Sequence, residues 1–233
     1  MKQITFQIIS DIHLEKKKYE NNILMNPIKS KYLILAGDIG NPLKNNYKEY
    51  LKYCSYHYER TFLISGNHEY WNNTIERCDK LIDQICSSLN NVYYLNNSFY
   101  DLQLFSKKIR IYGSTLWSYA IENPSIISYD NKLIKDFGFH KRNALFMRSY
   151  LNLRKNPSDI IITHHSPSFN LINKKWKNSD SRYLYASNLD HLLNENKYWI
   201  CGHLHDYNVL CKNIIINCCH DEYKEKIIYI DLD

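Results

Sequence analysis

Glycine and proline are scarce in this sequence, with 6 Gly and 5 Pro among 233 residues. Asn, Lys, Ile and Tyr are abundant instead, including 21 Tyr, a usage typical of an AT-rich genome. The same bias adds Lys, so the formal net charge of +6 is weak support for a nucleotide or nucleic-acid partner. Hydrophobic residues make up 44% of the chain, which excludes wholesale disorder.

The cysteine pattern excludes two classes of small stabilised domain. The chain has 7 Cys and no Cys-x-x-Cys pair, so neither a disulfide framework nor a zinc ribbon is indicated. No signal-like apolar stretch follows Met1, and no apolar run approaches the roughly 20 residues that cross a bilayer. We therefore expect free thiols in a soluble, cytoplasmic protein without a membrane partner.

Short apolar runs alternate with helical patterns, which predicts an α/β fold. The chain shows no repeat or convincing linker, so residues 1–233 are expected to form a single domain. Helices are predicted from Asn41-Pro42 to about Tyr58, around 75–89, and from His140 to Lys155. The predicted strands are 4–9, 32–36, 61–64, 92–95, 99–105, 109–112, 160–163, 198–201, 209–210, 214–217 and 227–232.

Clusters of metal-binding residue types follow several of these strands. Residues two apart in extended chain point the same way, so Asp11 and His13 can reach one point, and His203 and His205 likewise. Loops at the carboxyl ends of strands in α/β sheets meet at a shared crevice. Five predicted strands are followed by such segments, which are Asp11 to His13, Gly37-Asp38, Gly66 to Glu69, His164-His165 and Gly202 to His205.

Each cluster alone has an ordinary structural explanation. An isolated Asp-x-His is common in a solvated turn, and Gly-Asp and Gly-Asn are usual turn residues. His164 and His165 could form a satisfied pair near a helix cap. The succession of all five clusters, each after a predicted strand, favours a shared metal site.

This order of motifs resembles that of the calcineurin-like metallophosphoesterases. The family pattern D-x-H, G-D, G-N-H-E, H and G-H-x-H spans Asp11 to His205, which is nearly the whole chain. The resemblance implies a four-layer α/β/β/α sandwich, in which two mixed β-sheets lie face to face and are flanked by helices. It also implies two divalent metal ions about 3.5 to 4 Å apart.

The resemblance also implies a role for each motif residue. Asp38 would bridge the two metals and His68 would assist the leaving group, while a hydroxide shared by the metals attacks phosphorus in line. Glu69 and His165 would orient ligands, and Asn67 and His68 would also contact substrate. The mixed donor set suits Mn, Fe, Zn or Co. One metal would be held by Asp11, His13, Asp38 and His205, and the other by Asp38, Asn67, His164 and His203.

The substrate implied by the resemblance is a small phosphoester, with a phosphodiester of a nucleotide or similar molecule favoured. A phosphomonoesterase or protein phosphatase is the alternative, but phosphatase relatives carry Asp-Arg-Gly shortly after Gly-Asp, whereas Ile39-Gly40-Asn41-Pro42 follows Asp38 here. Repair nucleases usually bring extra DNA-binding domains. Inactive scaffolds of the fold typically lose ligands or the leaving-group His, and this chain retains them.

Two lysine clusters are candidate substrate-binding segments. Lys16, Lys17 and Lys18 follow the first motif, and Lys174-Lys175-Trp176-Lys177 follows His164. They could steer a polyanion, with Trp176 stacking on a base. Ordinary solvated lysine is the alternative. The positions of the few glycines support the metal-site interpretation, because three of the six immediately precede Asp38, Asn67 and His203. Glycine allows close backbone approach at low steric cost.

Overall fold

The computed structural model describes residues 3–16, 28–104, 107–120, 126, 128–195, 198–205, 208–210, 215–217 and 226–231. The strands are β1 (Gln3–Ile9), β2 (Tyr32–Ala36), β3 (Arg60–Ile64), β4 (Val92–Tyr94), β5 (Ser98–Leu104), β6 (Lys107–Ser114), β7 (Ile160–Thr163), β8 (Tyr198–Cys201), β9 (Asn208–Leu210), β10 (Ile215–Asn217) and β11 (Lys226–Asp231). The helices are α1 (Asn45–His57), α2 (Ile75–Ser87), α3 (Tyr129–Leu133), α4 (Phe139–Lys155) and α5 (Lys174–Lys177).

These strands form two mixed sheets. The first has the order β11-β1-β2-β3-β4, and the second β5-β6-β7-β8-β10-β9. Strands β1 to β4 are parallel neighbours, whereas β11 pairs with β1 in the antiparallel sense. In the second sheet β6, β7, β8 and β10 are parallel and the edge strands β5 and β9 are antiparallel. The predicted α/β class with two mixed sheets is confirmed.

Three buried clusters arrange these elements into four layers. Between the sheets, Phe6 and Ile34 of the first pack in one cluster with Ile111 and Ile162 of the second. The alternation of inward and outward side chains places the next residues on the outer faces. There α1 and α2 cover the first sheet, and α4 covers the second, with Phe146 in the same cluster as residues of β7 and β8.

The predicted element bounds are close to those observed, with one error. Strands β2, β7 and β8 have the predicted bounds, and the other strand ends differ by at most two residues. The helix predicted to begin at Asn41-Pro42 begins instead at Asn45. Asn41 forms a turn, since its Oδ1 accepts a hydrogen bond from the Leu43 N–H (2.9 Å) and its carbonyl accepts one from the Lys44 N–H (3.0 Å). Asn side chains bond nearby backbone in this way and compete with helix formation.

The carboxyl ends of β1, β2, β3, β7 and β8 meet at one place. Backbone hydrogen bonds join the loops that follow β1 and β2, from Asp11 N–H to the Gly37 carbonyl (3.0 Å) and from His13 N–H to the Asp38 carbonyl (2.9 Å). Gly202 N–H after β8 donates to the His164 carbonyl after β7 (3.0 Å). Among the described residues, no helix combines the length and apolar character needed to cross a membrane.

Candidate metal centre

Two groups of predicted ligands come together where these strands end. The candidate ligand atoms of Asp11, His13 and His205 all lie within 4.8 Å of one another, and so do those of Asp38, His164 and His203. Asn67 lies beside the second group, with its Oδ1 3.1 Å from His164 Nε2. The structure therefore brings together all seven residues that the resemblance assigns to metal binding: Asp11, His13, Asp38, Asn67, His164, His203 and His205.

Asp38 lies between the two groups. Its Oδ2 is 3.2 Å from His164 Nε2 in one group and 4.0 Å from His13 Nε2 in the other. This oxygen is buried and accepts no hydrogen bond of normal geometry, which is unusual for a buried carboxylate. Carboxylate and imidazole donors around an orphaned buried oxygen suit a transition metal, so the residues present fit the metals that the motifs imply.

The backbone at the candidate ligands is strained. Asp11, His13 and Asp38 have φ of 55°, 55° and 52°, and His203 and His205 have φ of 69° and 49°. Non-glycine residues seldom adopt this left-handed region, and each instance costs on the order of 1–3 kcal/mol. Strain of this kind persists where the surrounding structure imposes it, and it concentrates at functional sites.

Gly66 is required at its position by the closeness of the candidate ligands. A Cβ on Gly66 would lie 2.6 Å from His164 Nε2 and 2.7 Å from Asp38 N, and would also overlap Asp38 Oδ1. Gly202 is similarly confined, because its Cβ would lie 2.6 Å from Asp11 Oδ2. The absence of a side chain thus allows these turns to approach the carboxylates.

Gly66→Ala is therefore expected to displace Asp38 and His164 and to lower both metal affinity and stability. Overpacking of this kind typically costs about 1–3 kcal/mol. Metal titration and thermal unfolding measure the two effects. Gly138→Ala is the control, because a Cβ there meets no atom within 4 Å. Equal behaviour of the two variants would show that the space at Gly66 is unimportant.

Glu69 fixes the turns that carry Asp38 and Asn67. Its carboxylate accepts backbone hydrogen bonds from Asp38 (3.0 Å), Ile39 (2.7 Å), Gly40 (3.3 Å) and Gly66 (2.7 Å). Complete burial and the nearby Asp38 carboxylate raise the pKa of Glu69 to about 8. The predicted orienting group thus acts on the backbone around the ligands.

His68 faces the same space as the two groups. Its Nε2 is 3.9 Å from Asp38 Oδ2, and its backbone N–H donates to Asp38 Oδ1 (2.8 Å). The ring of Trp71 stacks on the His68 ring with centroids 3.4 Å apart. Burial alone would lower the pKa of His68, but Asp38 and Glu15 outweigh it and raise the pKa.

Glu15 lies at the candidate site but belongs to none of the sequence motifs. Its Oε1 is 2.9 Å from His68 Nδ1 and 3.1 Å from His13 Nδ1, so one carboxylate joins the two rings. Burial opposes its charge, but the hydrogen bonds from His13 and His68 lower the pKa of Glu15 to about 2. The available signal was its position two residues after His13, which follows the same two-residue spacing as Asp11 and His13.

The buried imidazoles differ in electrostatic environment. Burial opposes protonation of His164, yet the Asp38 carboxylate dominates and raises the pKa to about 10, so the surroundings favour a positive charge here. Burial and His164 lower the pKa of His203 well below its usual range. Burial and His203 do the same to His165. His165 packs beside His203 with ring centroids 4.3 Å apart, which is consistent with a supporting position.

A cavity of about 530 Å³ opens beside His203 and His205. Its wall includes Lys175, Trp176 and Tyr185, and the Trp176 side chain is 39% exposed. Lys175 Nζ lies 5.2 Å from the centre of the Trp176 ring. Lys16 is exposed. Lys17 and Lys18 lie outside the described residues.

Comparisons with known proteins agree with the geometry. A model of the calcineurin-like phosphoesterase family matches residues 4–207. An uncharacterised protein of Acanthamoeba polyphaga mimivirus is 29% identical over 249 aligned positions, which cover 89% of this chain and 87% of that protein. The fold is similar to that of phosphopantetheinyl hydrolase from Mycobacterium tuberculosis, with a TM-score of 0.72, 14% identity, and 95% and 91% of the two chains covered. A 5'-nucleotidase precursor from Thermus thermophilus has a TM-score of 0.53 at 10% identity, and the chain spans 52% of it.

Proposed function

The chain belongs to the calcineurin-like phosphoesterase family, and on this premise we propose that it is a metal-dependent phosphoric ester hydrolase. The observation that carries the proposal is the clustering of the predicted ligands in two neighbouring groups: Asp11, His13 and His205 form one, and Asp38, His164 and His203 form the other. A third group among the described residues, His13, Glu15 and His68, also has its ligand atoms within 4.8 Å of one another, but it includes His68, which the motifs assign to the leaving group. Each of the first two groups would hold one divalent metal, with Asn67 as a further ligand of the second and the Asp38 carboxylate within reach of both.

When bound, two such metals supply positive charge for the phosphoryl oxygens and lower the pKa of a water molecule to near neutrality. The protein's own residues provide the rest. His68 points its Nε2 toward the space beside Asp38 Oδ2 and can donate a proton to the departing ester oxygen. Glu15 accepts a hydrogen bond from the Nδ1–H of His68, which fixes the orientation of the His68 ring and stabilises its protonated form.

We propose a phosphodiester of a nucleotide or a similar small molecule as the substrate. A diester carries two substituents, and the cavity lined by Trp176 and Tyr185 offers room for the second. The position after Gly37-Asp38 lacks the arginine that phosphatases of the fold use to grip a monoester. Two proteins of similar fold are a phosphopantetheinyl hydrolase and a 5'-nucleotidase precursor, and at 14% and 10% identity they do not decide between a diester and a monoester. Polyanion steering by Lys16, Lys17 and Lys18 stays a prediction.

A direct test is a screen of phosphodiesters and phosphomonoesters, including cyclic and linear nucleotides, with Mn, Zn, Co and Fe. We expect hydrolysis of a diester at higher kcat/KM than of the matching monoester. The reverse order would identify a phosphomonoesterase. Failure to hydrolyse any ester despite full metal loading would indicate an inactive metal-binding scaffold.

Trp176→Leu is expected to raise KM for a nucleobase-containing diester and to leave an alkyl diester unchanged. Stacking of a base on an aromatic side chain contributes about 1–3 kcal/mol, or roughly 5- to 150-fold. Steady-state kinetics on the two substrates measure the difference. Tyr56→Leu is the matched control, because Tyr56 is 85% exposed on α1. A similar loss on both substrates would contradict a stacking role.

The organisation and location of the chain complete the proposal. We propose that residues 1–233 work as one domain, since Ile4 of β1 and Ile228 of β11 pack in the same cluster between the sheets. A cytoplasmic location stays a prediction, with which the buried free thiols of Cys54, Cys78 and Cys86 are compatible.

A further inference from the structure

Asp130 is a buried carboxylate beside the candidate metal centre but outside every motif. It lies in α3, is 5% exposed, and is separated from Asn67 by 63 residues. Its Oδ1 accepts hydrogen bonds from Asn67 Nδ2 (2.9 Å) and from Trp71 Nε1 (3.0 Å). One oxygen of Asp130 thus contacts both a proposed metal ligand and the residue that stacks on His68.

The contact with Asn67 decides which end of its amide faces the centre. A carboxylate oxygen accepts hydrogen bonds, so the NH₂ group of Asn67 must point to Asp130. The amide oxygen of Asn67 then points the other way, where it lies 3.1 Å from His164 Nε2. A metal requires that oxygen, because the lone pair of the amide nitrogen is delocalised into the carbonyl group.

The contact with Trp71 fixes the position of His68. Trp71 has a single hydrogen-bond donor on its ring, and Asp130 accepts from it. With that edge fixed, the indole lies against the His68 ring at 3.4 Å between centroids. Glu15 holds the Nδ1 edge of the same ring. His68 is thus held at one edge and on one face, with Nε2 left toward Asp38.

Asp130 is itself held from the side away from the site. Ser128 Oγ donates to its Oδ2 (3.1 Å), and Arg142 Nη1 lies 3.8 Å from the same oxygen. Arg142 is 1% exposed and donates through Nε to the Ser118 carbonyl (3.1 Å). The carboxylate therefore has a buried counter-charge and little freedom to rotate.

We propose that Asp130 is a positioning residue that orients the Asn67 oxygen toward the metal centre and holds Trp71 against His68. The inference rests on the proposed function, but it makes a claim about metal affinity that holds whether or not an ester is hydrolysed. Removing groups that orient a ligand typically lowers metal affinity or activity by about 10- to 100-fold.

Asp130→Ala and Asp130→Asn together separate positioning from stability. Both variants remove the counter-charge of Arg142, so both are expected to lower the melting temperature. Only Asp130→Ala removes the accepting oxygen. Metal titration without substrate should show Asp130→Asn close to the wild type and Asp130→Ala about 10- to 100-fold weaker. If both variants lose metal affinity equally, in proportion to their loss of melting temperature, the proposal is overturned. A wild-type metal affinity for Asp130→Ala would overturn it as well.

A third variant tests whether Trp71 positions His68, and its result does not depend on whether the Asp130 variants fold. Trp71→Leu removes the stacked ring and leaves the Asn67 contact in place. It should lower kcat more for a poor leaving group than for a good one and leave metal affinity unchanged. Asp101→Asn, which neutralises a carboxylate on β5 that pairs with Arg110 on β6, is the control for the charge lost in the two Asp130 variants. An equal loss for both leaving groups would contradict the contact with His68.

Discussion

His68→Ala is expected to lower kcat by about 10²- to 10⁴-fold, the usual contribution of a positioned general acid, while metal content stays near the wild-type value. The hydrogen bond from His68 to Asp38 (2.8 Å) comes from the backbone N–H, which alanine retains, and the imidazole Nε2 is 3.9 Å from Asp38 Oδ2. The side chain can therefore be removed without removing a proposed ligand. Steady-state kinetics and elemental analysis of the purified protein measure the two quantities.

The leaving group gives this prediction a second readout. An ester whose leaving group is already a weak base needs little proton donation, so His68→Ala should impair it much less than an alkyl ester. His57→Ala is the control, because His57 lies in the last turn of α1 and outside the site. Loss of metal in His68→Ala would instead identify His68 as a ligand.

Complete removal of metal by a chelator is expected to abolish activity, and Mn, Zn, Co or Fe is expected to restore it. The purified protein should bind close to two metal ions. The physical reason is the concentration of carboxylates around buried imidazoles, which holds the pKa of His164 at about 10 and so favours a cation at this point. Asp38 Oδ2 is buried and accepts no hydrogen bond of normal geometry, so this oxygen is available as a metal ligand.

Single-ligand variants test the division into two groups. His205→Ala and His203→Ala should each lower the metal content from about two ions to about one, because each removes a ligand from a different group. Asp38→Asn weakens a ligand that both groups share, so it should lower the affinity for both ions. Activity that survives complete removal of metal would refute the metal-dependent mechanism. A metal content of one ion per chain in the wild type would refute only the proposal that both ligand groups bind a metal.

Sequence patterns predicted the strands and the clustering of the candidate ligands for a clear reason. Buried parallel strands are short, continuous apolar runs, such as Tyr32–Ala36 and Ile160–Thr163, and the chemistry follows where each run stops. Motifs that directly follow parallel strands in the sequence therefore lie at the same edge of the sheet in the structure. The error at Asn41 has the opposite origin, since the side chain of Asn41 forms a local turn that resembles a helix start in sequence.

The residues that the sequence did not predict act through contacts between distant segments. Asp130 meets Asn67 and Trp71 only after the chain returns to the site in α3. No spacing rule connects these positions, and a lone Asp in a polar stretch is normally a surface residue. Glu15 has a weak sequence signal, because it continues the two-residue spacing of Asp11 and His13. A glutamate followed by three lysines nevertheless resembles a solvated charged segment.

The left-handed backbone at Asp11, His13, Asp38, His203 and His205 places thermal stability and the proposed metal binding in opposition. Glycine adopts such a conformation readily, so replacing any of these residues by glycine relieves strain and at the same time removes a donor atom. If these residues bind metal as proposed, selection of random variants for heat resistance alone would recover proteins that are changed at these five positions and bind metal weakly, as expected where stability and activity conflict. An engineered thermostable form of this protein should instead be sought in α1, α2 and α4, with selection for turnover imposed at every round.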